Sequence, residues 1–215
     1  KWSENTEYWA SLASDDDAIF DKHIEINSSD IYPSITWGLS PEDSIPINGV
    51  IPKINEMKNP DNKKDMESTL QYMGLKGGQS LLNLPIDAAF IGSCTNARLD
   101  DLRSAARILK DNKVASNVLA ICTPGSADVK QKAELEGIDQ IFKDAGFQWR
   151  EPGCSLCFYA GGEGFLPQQR VITSTNRNFR GRQGRGVRSH LASPITVAAS
   201  AVAGKIISPQ KLTKQ

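Results

Sequence analysis

From Met66 onward, short apolar runs alternate with longer amphipathic stretches. The runs typical of buried strands are IDAAFIGS, NVLAICTP and RVITST. The stretches with helical spacing are MESTLQYMGL, LDDLRSAARILKD, ADVKQKAELEGIDQIFKDAG (broken at Gly137) and SPITVAASAVAG. This alternation predicts an α/β fold in layers, in which helices flank a mainly parallel sheet.

The residues before Met66 lack this regularity. Residues 4–12 have the spacing of a short helix, HIEIN at 23–27 is a predicted strand, and the proline-punctuated stretch 36–52 is predicted as loop. The charged stretch KNPDNKKDMES, residues 58–68, is typical of a mobile connection. These features predict an irregular N-terminal arm.

We therefore divide the chain at residue 65. Residues 1–65 are expected to be the arm and linker, and residues 66–215 an α/β domain that is part of a longer subunit. In a parallel sheet the loops after the strands gather at one edge, where ligands usually bind. The loops GSCTN (92–96), TPGS (123–126) and TNRNFRGRQGRG (175–186) should meet there.

Composition narrows the function classes. Lys+Arg and Asp+Glu are both 25, so no global charge favours a polyanion or a membrane surface. No apolar run approaches the roughly 20 residues that cross a bilayer, and the first residues do not resemble a signal peptide. We expect a soluble intracellular protein without a membrane partner, located in the cytoplasm, or in an organelle if the source is eukaryotic.

The four cysteines are too few and too clustered for a disulfide framework. Cys154 and Cys157 form a C-x-x-C pair, and Cys94 opens a predicted helix. Three interpretations are open. A thioredoxin-like redox pair would be expected near the start of the chain. A structural zinc site would need a fourth ligand such as His190, and an iron–sulfur cluster on three thiolates would keep one iron without a protein ligand. Three thiolates without a fourth partner favour Lewis-acid catalysis.

Cys122 differs from the other cysteines. It lies within the apolar run NVLAICTP, where a small buried side chain is the usual occupant. We predict that Cys122 belongs to the core.

Arginine is concentrated in residues 170–188. This stretch holds six arginines (170, 177, 180, 182, 185 and 188) and no acidic residue. Guanidinium groups bind carboxylates or phosphates through paired hydrogen bonds, so a small-anion site is one interpretation. A solvated basic loop and an RNA-binding segment are the alternatives. Phe179 is the one aromatic residue of the stretch, which argues against a nucleic-acid partner.

Taken in order, the segments IGSCTNARLDDLRSAA, EPGCSLC, STNRNFRGRQGRGVRSHLASP and SPITVAASAVAG resemble the aconitase superfamily. The resemblance covers nearly the whole chain and is closest to the large subunits of its two-subunit dehydratases. It implies a labile [4Fe–4S] cluster on Cys94, Cys154 and Cys157, and it implies that Asn176, Arg177 and Arg182 contact the substrate.

The same resemblance implies a hydro-lyase that moves a hydroxyl between neighbouring carbons of a small di- or tricarboxylic acid. The serine that removes the substrate proton comes from a separate small subunit in such enzymes, and acidic and histidine residues come from N-terminal domains of a longer large subunit. We therefore expect no catalytic residue within this stretch and no turnover by the chain alone. The segment CSLCFYAGGEGF departs from the usual CSMCLAMN, which affects the packing of the loop rather than the thiols.

Overall fold

The computed structural model describes residues 2–159 and 162–212, which form two compact units that divide between Ile31 and Tyr32. The first unit contains helix α1 (Trp2–Ala10), in which the rings of Trp2 and Trp9 meet edge to face at 5.9 Å. The predicted strand at 23–27 is wrong: its isoleucine side chains are exposed, and no described strand pairs with its backbone.

The second unit begins with an antiparallel hairpin of β1 (Ser34–Thr36) and β2 (Ser44–Pro46), and β2 lies in the stretch 36–52 that was predicted as loop. Helix α2 (Pro60–Met73) follows and replaces most of the predicted mobile connection. Asn59 caps α2 by accepting a hydrogen bond from the backbone N–H of Asp61 at 2.8 Å.

Helix α2 also moves the predicted domain boundary. Its buried side chains, Met66, Leu70 and Met73, follow helical spacing and join the main core. A boundary at residue 65 would cut through this helix, and the compact unit instead extends back to Tyr32.

The central sheet has five strands, all parallel, in the order β5-β4-β3-β6-β7. In chain order they are β3 (Ala88–Ile91), β4 (Leu119–Cys122), β5 (Gln148–Trp149), β6 (Arg170–Thr173) and β7 (Arg188–Leu191). The remaining helices are α3 (Leu99–Leu109), α4 (Ala127–Leu135), α5 (Ile138–Ala145) and α6 (Pro194–Ala203). The predicted α/β class with a parallel sheet and flanking helices is confirmed.

Successive residues of the strands point to opposite faces of the sheet and are buried in two separate hydrophobic clusters. Ala89, Ile91 and Ile172 join the larger cluster, to which helices α2 to α6 all contribute. Phe90 and Val171 join the smaller cluster on the other face, with no α-helical residue among its described members. Loop residues cover that face, and one of them lies between Cys154 and Cys157.

Every described helix is too short or too polar to span a lipid bilayer.

Candidate active site

The structure has the sheet edge at which the loops were predicted to gather. Because β3, β4, β5 and β6 are parallel, the loops that follow them emerge at the same edge of the sheet. The chain runs outward from β3 through β4 to β5 and then returns to the other side of β3 for β6. The order of the strands therefore reverses between β3 and β6, which is where open α/β sheets form a ligand crevice.

Ser174 fastens the loop after β3 to the loop after β6. Its hydroxyl accepts a hydrogen bond from the N–H of Gly92 at 3.1 Å and lies 2.9 Å from the carbonyl oxygen of Asn96. The side-chain amide of Asn96 in turn donates to the carbonyl of Ser174 at 2.8 Å. The N–H of Gly125, in the loop after β4, donates to the carbonyl of Ala97 at 3.0 Å. Three of the predicted loops thus meet.

All three predicted metal-binding cysteines are free thiols on this edge. Cys94 lies on the fastened loop after β3 and is exposed, and its sulfur is 3.8 Å from the Thr95 hydroxyl oxygen. Cys154 is exposed and Cys157 is half-buried, on a short 3-10 turn after β5. Cys122 is fully buried, and burial raises the pKa of its thiol well above the usual range, which agrees with its predicted place in the core.

The turn that carries Cys154 and Cys157, called here the cysteine turn, is anchored to the sheet. Leu156, between the two thiols, is buried in the smaller cluster, and its carbonyl accepts a hydrogen bond from the side chain of Gln183 at 2.8 Å. Gln183 is itself held by the Ser189 hydroxyl at 2.7 Å. The turn closes with a 2.8 Å hydrogen bond from the N–H of Cys157 to the carbonyl of Cys154. The positions of the two thiols are therefore set by the sheet beneath them.

Arg182 links the arginine stretch to the thiols. Its Nη2 atom donates to the sulfur of Cys157 at 3.0 Å, its guanidinium lies 5.4 Å from the centre of the Phe179 ring, and its side chain is only 8% exposed. Its Nε atom is buried and has no hydrogen-bond partner among the described residues. A buried cation with a free donor beside a thiol is suited to an anion or a sulfur acceptor.

Asn176 and Arg177 precede Arg182 on the same loop. Both side chains are exposed, and neither has a hydrogen bond or ion pair with any residue in the described parts of the chain. They are uncommitted and can reach a ligand at the edge.

The remaining arginines do not form one flexible basic loop. Arg170 and Arg188 lie on β6 and β7, and Arg188 donates from Nε to the carbonyl of Tyr72 at 3.1 Å. Arg180 lies over the Tyr72 ring at 5.4 Å and donates to the hydroxyl of Ser68. Only part of the stretch is therefore available to a ligand.

His190 is a structural residue and not a metal ligand. Its ring is fully buried, with Nδ1 2.7 Å from the carbonyl of Thr36 and Nε2 2.7 Å from Nη1 of Arg170. The carbonyl can only accept and the guanidinium can only donate, so the ring is neutral with its proton on Nδ1. Burial and the nearby Arg170 lower the pKa of His190 to about 3. The alternative of zinc on three cysteines and His190 is wrong, because both ring nitrogens are occupied.

The sequence matches the aconitase family (aconitate hydratase) over residues 1–204. The chain belongs to the aconitase family. A 3-isopropylmalate dehydratase large subunit from Cupriavidus necator is 52% identical over 211 residues, which are 98% of this chain and 79% of that protein.

Aconitase-family dehydratases are iron–sulfur enzymes, so the thiols can be tested for their fit to such a group. Free cysteines on loops at one edge, with Arg182 beside one of them, are suitable donors and surroundings. Within residues 2–159 and 162–212, no three Cys, His, Asp or Glu side chains are gathered closely enough to hold a metal ion. The thiols fit the group in chemistry and share one edge of the sheet, but the three are not gathered at one point in this structure.

Three residues of this aconitase-family site escaped the sequence analysis. Ser174 and Gln183 hold the loops together, and Ser155 has a buried hydroxyl without a partner among the described residues. Ser174 lies at the carboxyl end of the predicted strand RVITST, next to the loop 175–186, which was the available signal for it. Gln183 and Ser155 carried no comparable signal, because both depend on contacts formed only in the folded chain.

Proposed function

We propose that this protein is the large subunit, or part of it, of a hydro-lyase that interconverts 2-isopropylmalate and 3-isopropylmalate by dehydration and rehydration. The observation that carries the proposal is the contact between Arg182 and Cys157, in which a buried guanidinium lies against a thiol that we assign to a metal site. The 52% identity with a 3-isopropylmalate dehydratase large subunit supports this substrate over homologous tricarboxylates and methyl-substituted malates.

In this proposal Cys94, Cys154 and Cys157 hold a [4Fe–4S] cluster. When bound on three thiolates, such a cluster supplies a Lewis acid, because one iron has no protein ligand. The uneven exposure of the thiols supports this assignment: Cys94 and Cys154 are open to the edge, whereas Cys157 is half-buried against Arg182.

The residues of this chain contribute binding and orientation. Arg177 and Arg182 are proposed to hold the two carboxylates of the substrate, with Asn176 donating to one of them. The exposed and uncommitted Arg177 supports a role in capture, and the buried Arg182 supports a role in fixing the carboxylate nearest the thiols. Fixing both carboxylates orients the carbons between which the hydroxyl moves.

A small subunit is proposed as the partner. The matching relative is named a large subunit, and no residue of this chain is assigned as the base that removes the substrate proton. Proton abstraction is therefore assigned to a serine of that subunit, further residues to other domains of the large subunit, and turnover by this chain alone is not expected. A cytoplasmic location, or an organellar one in a eukaryote, is part of the same proposal.

The RNA-binding alternative is weaker. Four of the six arginines in residues 170–188 bond to other parts of the protein, which leaves Arg177 and Arg185 for a polyanion. Two exposed cations are little for a single-strand site, which needs a positively charged groove along the nucleic-acid backbone.

Anaerobic reconstitution with iron and sulfide tests the proposal. The protein should bind about four irons per chain, as a [4Fe–4S] cluster requires, and Cys154→Ser should lower the bound iron and sulfide sharply. Cys122→Ala is the matched control, because that thiol lies in the core and its loss should leave loading unchanged. Equal loading in the Cys154→Ser variant and the wild type would contradict the assignment.

Activity is tested with the loaded protein and its small subunit. The pair should convert 2-isopropylmalate to 3-isopropylmalate and should prefer it to homoaconitate and methylmalate. Arg177→Ala should raise KM, because it removes a guanidinium that contacts the substrate. Turnover by the loaded chain without the small subunit would contradict the proposed division of labour.

A further inference from the structure

Ser155 lies between two of the proposed cluster ligands and has two unfavourable features. Its backbone φ is +42°, in the left-handed region that serine seldom adopts. Its hydroxyl oxygen is buried and has no hydrogen-bond partner among the described residues. Each feature costs folding free energy, and a glycine would avoid both.

The fold itself does not use this hydroxyl. The turn is closed by the backbone bond from Cys157 to Cys154, and it is anchored by the side chain and the carbonyl of Leu156. None of these contacts involves the Ser155 side chain. A structural role in the turn therefore does not explain why a hydroxyl is present.

The surroundings of Cys157 show which kind of partner is missing. Arg182 already donates from Nη2 to the sulfur of Cys157, yet its Nε donor is also buried without a partner. Two unused donors thus belong to residues that adjoin the same thiol, in sequence or in space. What the site lacks is an acceptor, and the acceptors that a bound iron–sulfur group would bring are its sulfur atoms.

We propose that the Ser155 hydroxyl donates a hydrogen bond to a sulfur atom of the iron–sulfur group held by Cys154 and Cys157, and so raises the reduction potential of that group. This inference depends on the cluster assignment in the proposed function. A donor aimed at a cluster sulfur stabilises the reduced state, which carries one more negative charge. Ser155 is then a positioning and tuning residue, and it does not contact the substrate.

The test is a redox titration, followed by EPR, of the anaerobically reconstituted protein and two variants. Ser155→Ala and Ser155→Gly both remove the hydroxyl, whereas only glycine also relieves the left-handed backbone. Both variants should lower the equilibrium constant for one-electron reduction of the cluster about tenfold, which corresponds to a reduction potential lower by about 59 mV. Ser116→Ala is the control, because it removes an exposed hydroxyl before β4, at the opposite edge of the sheet.

Each outcome decides the question. A wild-type protein that takes up no cluster overturns the proposed function and this inference together. Normal loading with an unchanged potential in both variants overturns only the role of Ser155. A decrease in Ser155→Ala that is absent in Ser155→Gly also overturns it, because the effect would then come from the backbone. Loss of loading in both variants overturns it as well, since one peripheral hydrogen bond does not retain a cluster held by cysteines.

Discussion

Acid should destabilise this protein through one buried side chain. His190 is fully buried, and its pKa of about 3 is far below the ordinary value of about 6.5 for an unfolded chain. Between pH 6.5 and pH 3 this histidine is protonated in the unfolded chain but remains neutral in the folded protein. The stability contributed by the neutral ring is therefore complete above pH 6.5 and is lost as the pH falls towards 3.

The magnitude follows from the width of that window. Each pH unit below the unfolded pKa costs about 1.4 kcal/mol, so at pH 5 the folded state should have lost about 2 kcal/mol through His190 alone. The charged neighbour that opposes protonation is Arg170, whose guanidinium lies 2.7 Å from Nε2. Because Nδ1 faces the carbonyl of Thr36, no carboxylate is in hydrogen-bond contact with the ring to offset a positive charge.

Urea unfolding of the wild type and His190→Gln at pH 7.5 and pH 5 measures this contribution. Glutamine can still accept from Arg170 but loses the bond to the Thr36 carbonyl, so we expect the variant to be less stable at pH 7.5 by about 1–3 kcal/mol. Its disadvantage should shrink by about 2 kcal/mol at pH 5, because it has no ring to protonate. A difference between the two proteins that is the same at both pH values would refute the reasoning.

Two further predictions concern the core and the loop after β6. Phe142→Ala should cost about 3–5 kcal/mol in urea unfolding, because the ring is fully buried, whereas the exposed Leu135→Ala should change stability by less than about 0.5 kcal/mol. Asn178→Ala should cost about 1–3 kcal/mol by thermal or urea unfolding, since its amide donates to two carbonyls in the buried region. Asn176→Ala is its control, and equal losses in both variants would contradict this account.

The sequence predicts the α/β core well because periodicity and punctuation agree there. The spacing of α3 predicts one apolar face with Leu99, Leu102, Ala106 and Leu109, and the last three are buried while Leu99 is half-buried. Gly137 separates α4 from α5, where its left-handed backbone starts the second helix. In both places one local rule determines the element, and no distant contact is needed.

The missed strands show where local rules fail. In β7, Arg188 and His190 give the segment RSHL a polar character, so its pattern predicts no strand. The strand is buried because Arg170 and the carbonyl of Thr36 satisfy the His190 ring, and these partners are distant in sequence. Strand β5 has only two residues, too few for any alternation to be visible.

The sequence indicates candidate residues for the site but not their geometry. Motif order indicated the three cysteines and the loop with Asn176, Arg177 and Arg182, and parallel strands explain why these loops share an edge. The sequence could not indicate that Arg182 is buried against Cys157 while Asn176 is exposed, because that difference arises from contacts with Phe179 and the cysteine turn.

Leu156 has a consequence for anyone who transplants or redesigns this loop. It lies between the proposed cluster ligands, yet its side chain is part of the smaller core cluster. In that cluster it packs on the face of the sheet that carries Phe90 and Val171. A graft that carried only the two cysteines and the hydrophilic residues around them would lose the apolar packing of Leu156 that anchors the turn. The transferable unit is the turn together with the apolar residues that Leu156 packs against.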